Sequence, residues 1–218
     1  MVVFLVRAKA KGGKMKYYIE ITLLTDEEVH LGFLWQKLYQ QIHLALVELK
    51  TEENRSHIAV SFPQYGNKEF PLGNKLRLLS ETQEQLIQLN VQQWLDRLTD
   101  YIHCTSIKKV PSSVSQFACF KRRQFDTNIN RLARRRVKRK KNTLEEALKY
   151  YAGFTDKESN LPFINILSLS SGKENNVTDN KKFRLFIEKE IKKSPLHGDF
   201  TCYGLSNRDK KQSTVPIF

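Results

Sequence analysis

The sequence predicts an α+β protein, because strand-like and helix-like patterns alternate along its first half. Residues 16–24 form a β-rich run of alternating residue types, which is typical of a strand. Residues 25–50 repeat leucine, isoleucine and alanine at spacings of three and four, which indicates a helix with acidic residues at its amino end. Two strands, a second amphipathic helix and a short strand follow, at 58–63, 75–80, 81–98 and 101–108. This order of elements is that of a ferredoxin-like (RRM-like) domain.

The second half of the chain is organised differently and predicts a separate domain. Residues 109–116 carry proline and three serines, which indicates a linker between a ferredoxin-like domain at 15–108 and a C-terminal domain at 117–218. Extended segments in 117–218 alternate with two short helices, so we predict a second, divergent ferredoxin-like half that carries an arginine-rich helix. Residues 1–14 precede the first strand pattern, and we expect them to be an N-terminal extension outside the fold.

The positive charge of the protein is concentrated in one segment. The formal net charge of the 218 residues is +14, and residues 121–141 hold eleven basic residues and one acidic residue, a net +10. Charge focused in this way favours a polyanionic partner such as nucleic acid. An anionic membrane, a targeting signal and a solvated surface stay open as alternatives.

Five cations of this segment fall on one face of a predicted helix at 127–141. They recur at i, i+3, i+4, i+7 and i+8 and are Arg131, Arg134, Arg135, Lys138 and Arg139. Like charges on one stripe repel each other, so an anionic partner relieves a real cost. We name these five residues the cationic stripe. Its geometry alone does not separate RNA from DNA.

The residue types that bind metals or nucleotides show no recognisable spacing. The three cysteines and five histidines form no zinc or other metal pattern, and phosphate-loop and dinucleotide motifs are absent, which predicts no metal and no cofactor. No apolar run approaches the roughly 18 residues of a membrane span, and the odd cysteine number fits a reducing cytosol. His43 lies at the edge of the apolar face of the first helix, where a packed residue and a catalyst are both possible.

The carboxyl end of the chain carries three unlinked motifs that point to one family. They are KFRLFIEKE at 182–190, GDFTCYGLS at 198–206 and VPIF at 215–218, and they resemble the end of the type I-F CRISPR RNA endoribonuclease family. Further motifs occur in family order: MKYYIEI, HLALV, VSFP, GNKLRL, RRQ, RLARRR and LPFINILSLSSG. The resemblance therefore covers residues 15–218. The sequence departs from the family at Ile217, where tryptophan is usual, and in a longer polar loop at 173–181.

The resemblance implies a metal-independent endoribonuclease that needs no cofactor. It would cut CRISPR precursor transcripts at the 3′ base of the repeat hairpin by 2′-hydroxyl attack, leaving a 2′,3′-cyclic phosphate and a 5′-hydroxyl. The implied partners are the repeat RNA hairpin and the other subunits of a type I-F surveillance complex in the bacterial cytoplasm. The protein would interact with DNA only indirectly, through that complex. A non-catalytic hairpin-binding subunit and a basic DNA-binding protein stay as alternatives.

The resemblance also assigns catalytic roles. His43 matches the histidine that acts as general base. Ser168 matches the serine that positions the 2′-hydroxyl, with Ser170 as the alternative in a shifted register. Tyr203 matches the tyrosine near the histidine, whose hydroxyl would orient the imidazole, or else it is a packed strand residue.

The remaining assignments concern RNA binding. Arg122 and Gln124 match a pair that reads guanine and adenine next to the cleavage site. Phe183 matches an aromatic residue that stacks on the terminal base pair, with a core phenylalanine as the alternative. The cationic stripe matches the family's arginine-rich helix, which lies along the major groove of the hairpin and grips phosphates.

Overall fold

The structure is a computed structural model of the chain. It describes residues 14–25, 28–125, 129–140, 142–152, 160–168, 182–208 and 211–218. Ser170, the polar loop at 173–181, nearly all of the predicted extension and the side chain of Arg131 lie outside the described residues.

The first half of the chain forms a mixed set of helices and antiparallel strands. Its elements are β1 (Tyr17–Leu23), α1 (Leu31–Glu48), β2 (Arg55–Ser56), β3 (Ala59–Ser61), β4 (Lys75–Ser80), α2 (Gln83–Leu89), α3 (Val91–Trp94), a 3-10 helix (Asp96–Tyr101), β5 (Ile102–Cys104) and β6 (Lys108–Lys109). Four strands pair in the order β3-β4-β1-β5, and β6 also pairs with β1. The order of elements follows the predicted strand-helix-strand-strand-helix-strand pattern.

The second half adds two helices and five strands. They are β7 (Gln116–Arg123), α4 (Ile129–Lys140), α5 (Leu144–Tyr150), β8 (Phe163–Leu167), β9 (Lys182–Lys192), β10 (Phe200–Thr201) and β11 (Val215–Ile217). A four-stranded sheet has the order β11-β7-β9-β8, and β10 pairs with β2. The mixed α/β class with antiparallel sheets is confirmed. A second ferredoxin-like half stays a prediction.

The helix that carries His43 begins later than its sequence indicates. We expected the acidic residues near 26–28 to mark its amino end, but α1 begins at Leu31. His30 is the N-cap, and its ring Nδ1 accepts a hydrogen bond from the Gly32 N–H at 3.0 Å. The imidazole takes the capping role that a carboxylate or hydroxyl usually fills.

The second predicted helix, at 81–98, is wrong as a single element. Asn90 adopts the left-handed conformation with φ 44° and ψ 55°, and it separates α2 from α3. Asparagine tolerates this conformation better than most residues, so it ends α2 although the apolar spacing continues beyond it.

The described chain divides into two compact units, 1–122 with 162–218 and 123–161. The first unit contains both large sheets, whose buried residues, including Ile21, Phe120 and Leu185, belong to one hydrophobic core. The predicted linker at 109–116 does not coincide with this division, because it lies within the first unit and the boundaries fall after residues 122 and 161. The division into two folding domains stays a prediction.

The chain terminus is fixed within the first unit. After β11 pairs with β7, Phe218 reaches the first sheet, where its carbonyl accepts a hydrogen bond from Arg77. The Arg77 guanidinium also lies 4.0 Å from the centre of the Phe218 ring. Phe218 of the terminal VPIF motif therefore attaches the end of the chain to β4, the strand that carries Arg77.

Candidate active site and nucleic-acid interface

The His43 ring contacts the loop that follows β10. Its Nδ1 lies 3.0 Å from the Cys202 carbonyl oxygen. A carbonyl oxygen only accepts hydrogen bonds, so Nδ1 carries the proton in this contact. In the neutral ring, Nε2 then holds a lone pair and can accept a proton.

The surroundings of His43 favour its neutral form. Burial lowers the pKa of the imidazole below its ordinary value. The bond to the Cys202 carbonyl opposes this shift, and the positive charge of Arg122 adds to it. The net effect favours the neutral imidazole over the imidazolium.

Tyr203 contacts His43 with the face of its ring. The two rings are parallel within 2° and their centres are 4.0 Å apart, which is a face-to-face stack. The sequence led us to expect a contact from the tyrosine hydroxyl. The Tyr203 backbone is fixed as well, because the Tyr39 hydroxyl donates to its carbonyl at 2.8 Å.

Glycine at position 204 allows this loop to approach the core. Gly204 has φ +69°, and an added Cβ would lie 2.5 Å from Val60 Cγ2. Its N–H donates to the Thr201 carbonyl at 2.8 Å, and its carbonyl accepts from the Val60 N–H at 2.8 Å. A side chain here would push the loop, and with it the Cys202 carbonyl, away from His43.

Arg122 lies against two aromatic rings in the same unit. Its guanidinium carbon is 5.1 Å from the centre of Phe183 and 5.2 Å from the centre of Tyr203. These are cation–π distances. The structure thus joins His43, Tyr203, Arg122 and Phe183 in one series of contacts, although their roles in binding or cleavage stay predictions.

The strands that carry Arg122 and Phe183 are linked by an ion pair. The buried Lys121 and the half-buried Lys192 both bond to Glu190. Hydrogen bonds to these two lysines lower the pKa of the Glu190 carboxyl to about 2. The pair fixes β7 against β9 directly beside Arg122.

Ser168 follows the last residue of β8 and is half-buried. Its neighbour Leu167 is attached to α1, because the Leu167 N–H donates to Gln40 Oε1 at 3.0 Å. Gln40 precedes His43 by three residues on α1. Ser168 is therefore connected to the histidine helix through its backbone.

The second unit carries the cationic stripe on α4. Ala133 and Ala147 are fully buried where α4 and α5 pack together. The four described side chains of the stripe are exposed: Arg134, Arg135, Lys138 and Arg139. Arg136 differs from them, since it is half-buried and its guanidinium lies 3.6 Å from the centre of the Tyr150 ring.

Gln124 belongs to the second unit and is exposed. It lies one residue beyond the end of β7 at Arg123, whereas Arg122 lies within the strand. The extended geometry that would aim both side chains to one side therefore ends between them. Base reading by this pair stays a prediction.

Four features of the site were not predicted from the sequence: Tyr39, Gln40, the Cys202 carbonyl and Gly204. Tyr39 and Gln40 lie one helical turn before His43, so helical spacing could have identified them as neighbours. A carbonyl has no signature in a sequence. The glycine of CYGLS was visible, but its positive φ was not.

Two further features concern metal ions and membranes. Within the described ranges, no group of three or more His, Cys, Asp or Glu side chains is arranged to hold a metal ion. In the same part of the chain, no helix is long and apolar enough to cross a membrane.

Comparison with known proteins identifies the family. The family model for CRISPR-associated protein (Cas_Csy4) matches residues 18–218. The CRISPR-associated endonuclease Cas6/Csy4 of Escherichia coli (strain UTI89 / UPEC) is 33% identical over 94% of this chain and 100% of that protein. The protein of the same name from Pseudomonas aeruginosa (strain UCBPP-PA14) is 31% identical over the same shares. A solved Cas6-related protein from Pyrococcus furiosus aligns over 94% of this chain and 99% of that chain, with 12% identity and a TM-score of 0.35.

The family model spans nearly all of the chain, and both bacterial relatives align over their full length. The chain therefore belongs to the Csy4 family of CRISPR-associated proteins, the type I-F CRISPR RNA endoribonucleases that its motifs resemble.

Proposed function

We propose that the protein is a metal-independent endoribonuclease that cuts CRISPR precursor transcripts at the 3′ base of the repeat hairpin. One observation carries this proposal: the half-buried His43 ring bonds to the Cys202 carbonyl through Nδ1, which leaves the lone pair of Nε2 to accept a proton. The name endonuclease, which both bacterial relatives bear, supports the cleavage activity.

The chemistry needs a base and a correctly placed ribose. His43 Nε2 takes the proton of the 2′-hydroxyl, and the 2′-oxygen then forms a bond to the adjacent phosphorus. The bond from phosphorus to the 5′-oxygen breaks, and that oxygen takes up a proton from water. The products are a 2′,3′-cyclic phosphate and a 5′-hydroxyl. DNA has no 2′-hydroxyl, so it can bind without being cut.

The other site residues hold the RNA in the reactive geometry. Ser168 positions the 2′-hydroxyl, and Tyr203 holds the imidazole by the stack that its ring makes. Phe183 stacks on the terminal base pair of the stem, while Arg122 reads guanine and Gln124 reads adenine. The proximity of the Arg122 guanidinium to the Phe183 ring supports a shared role at the end of the stem.

The cationic stripe grips the phosphates of the hairpin. Its four described members are exposed and project from one short helix. Neutralising several phosphates gives strong, salt-dependent binding, which suits an enzyme that keeps its product. We propose that the protein stays bound to the mature guide RNA within a type I-F surveillance complex of the bacterial cytoplasm.

Replacing His43 tests the proposal. His43→Ala should abolish cleavage of the repeat RNA of the same genome while hairpin affinity stays within about twofold, because the imidazole contributes chemistry more than binding. The matched control is His57→Ala, a histidine that has no predicted role. Cleavage should be measured under single-turnover conditions in EDTA. Normal cutting by His43→Ala would refute the base assignment, and binding without cutting by the unaltered protein would favour the non-catalytic hairpin-binding alternative.

A further inference from the structure

Gln40 is a buried polar residue whose two side-chain atoms have different surroundings. It is 8% exposed and lies on α1, three residues before His43. Its Oε1 accepts a hydrogen bond from the Leu167 N–H at 3.0 Å. Its Nε2 is buried without a hydrogen-bond partner in the described part of the chain.

An unpaired amide N–H in a protein interior is unfavourable. Methionine has nearly the same length and would fill this position without that penalty, but it has no oxygen to accept the Leu167 N–H. The bond from Oε1 is thus the contribution of Gln40 that an apolar side chain lacks.

This bond joins two parts of the proposed active site. Leu167 ends β8 and is followed directly by Ser168. The acceptor stands less than one helical turn before His43 on a helix that packs against β8. The path from Ser168 to His43 consequently runs through one peptide unit, one hydrogen bond and a short piece of regular helix.

We propose that Gln40 is a positioning residue that fixes the end of β8. The Ser168 hydroxyl and the His43 imidazole then act on the same ribose 2′-hydroxyl. The inference rests on the proposed function. Small errors in the placement of reacting groups reduce rates strongly, whereas phosphate contacts far from the ribose tolerate them. Gln40 therefore acts on the rate of cutting and not on hairpin affinity.

A positioning role acts through Ser168, and this separates it from a contribution to packing alone. If Gln40 only stabilised the fold, its loss would have the same effect whether or not Ser168 were present. If Gln40 aims Ser168, its loss has no further effect once the serine hydroxyl is gone.

The first experiment is a double-mutant cycle with Gln40→Met and Ser168→Ala, followed by single-turnover cleavage at saturating protein. Gln40→Met should lower the rate roughly tenfold and change the hairpin Kd less than twofold. In the Ser168→Ala background, it should change the rate less than twofold. Equal losses in both backgrounds would overturn the positioning role. Gln40→Asn, which keeps the amide but is too short to reach Leu167, should behave as Gln40→Met does, and Gln41→Met is the matched control that keeps the full rate.

The second experiment tests the bond without any cleavage. Hydrogen exchange of the Leu167 amide in the full-length protein should become roughly tenfold faster in Gln40→Met and stay unchanged in Gln41→Met. Unchanged exchange in Gln40→Met and Gln40→Asn would overturn the inference. If exchange responds as expected but the unaltered protein cuts no repeat RNA, the proposed function fails and the attachment of β8 to α1 stands.

Discussion

The surroundings of His43 and the cationic stripe differ in how firmly the protein holds their side chains. The imidazole is half-buried, bonded to the Cys202 carbonyl and stacked on Tyr203. The stripe projects from α4 into solvent, and the helix packs through small residues such as Ala133. This difference fits the roles proposed above, because proton transfer needs fixed geometry, whereas holding a phosphate backbone needs mainly charge density.

The largest expected effect comes from disturbing the fixed region at Gly204. Gly204→Ala should reduce cleavage at least about a hundredfold and lower the free energy of unfolding by about 2 to 4 kcal/mol, since the new Cβ meets Val60 and the backbone has φ +69°. Single-turnover cleavage and urea denaturation measure the two effects. Gly66→Ala is the matched control, because φ there is +93° but an added Cβ meets nothing within 4 Å. Equal results for the two variants would contradict the role of the close approach.

Removing charge from the stripe should weaken binding and leave the chemistry intact. Arg134→Ala combined with Arg135→Ala should reduce hairpin affinity about tenfold or more at physiological salt. The slope of log K against the logarithm of the salt concentration should become less steep by about one for each phosphate that is no longer neutralised. The cleavage rate at saturating protein should not change. Arg136→Ala removes the same kind of charge from a guanidinium stacked on Tyr150, and it should leave the salt slope nearly unaltered. A lower rate at saturation in the double variant would show that the stripe takes part in cutting.

A smaller effect should appear in the pH dependence of cutting. Only neutral His43 accepts a proton, so the cleavage rate should fall as the pH drops through the pKa of His43, which burial holds below the ordinary histidine value. The positive charge of Arg122 lowers this pKa further. Arg122→Met should therefore raise the pKa and shift the acidic limb of the pH–rate profile, where the cleavage rate falls, to higher pH. The measurement is a pH–rate profile at saturating protein, with Lys50→Met as a charge-matched control that leaves the limb in place. A limb that stays fixed in Arg122→Met would contradict the electrostatic coupling.

The smallest effect concerns the ion pair beside Arg122. Glu190→Gln should destabilise the protein at neutral pH by only about 1 kcal/mol, because the half-exposed carboxylate is partly screened by solvent. The pKa of Glu190 is lowered to about 2, so its contribution is complete above its ordinary pKa and is lost as the pH falls from about 4.5 towards 2. Urea denaturation of both proteins at several pH values should show the difference shrinking over that range. A difference that grows on acidification would contradict the assignment.

Much of the fold was predictable because its signals are local. The alternation in β1 and the leucine spacing of α1 reflect one buried face each, and periodicity reports such faces directly. The break at Asn90 escaped prediction because the apolar spacing continues across it while a single backbone angle changes.

The candidate site was predictable only in part, since its contacts join distant parts of the chain. Motifs pointed to His43 and Tyr203. The hydrogen bond of His43 goes to a backbone carbonyl 159 residues away, and a backbone carbonyl cannot be recognised from the residue type. Gln40 was overlooked because a glutamine within an amphipathic helix is normally exposed, whereas here it is buried on a helix that packs against β8.

Attack by the 2′-hydroxyl is tested most directly by comparing, in EDTA, the cleavage of all-ribose repeat RNA with that of repeat RNA carrying a single 2′-deoxynucleotide at the scissile position. We expect that the all-ribose RNA is cut to a 2′,3′-cyclic phosphate and that the deoxy RNA binds with nearly the same affinity but is not cut. Cutting of the deoxy RNA, or loss of all cutting in EDTA, would contradict 2′-hydroxyl attack with His43 as the base.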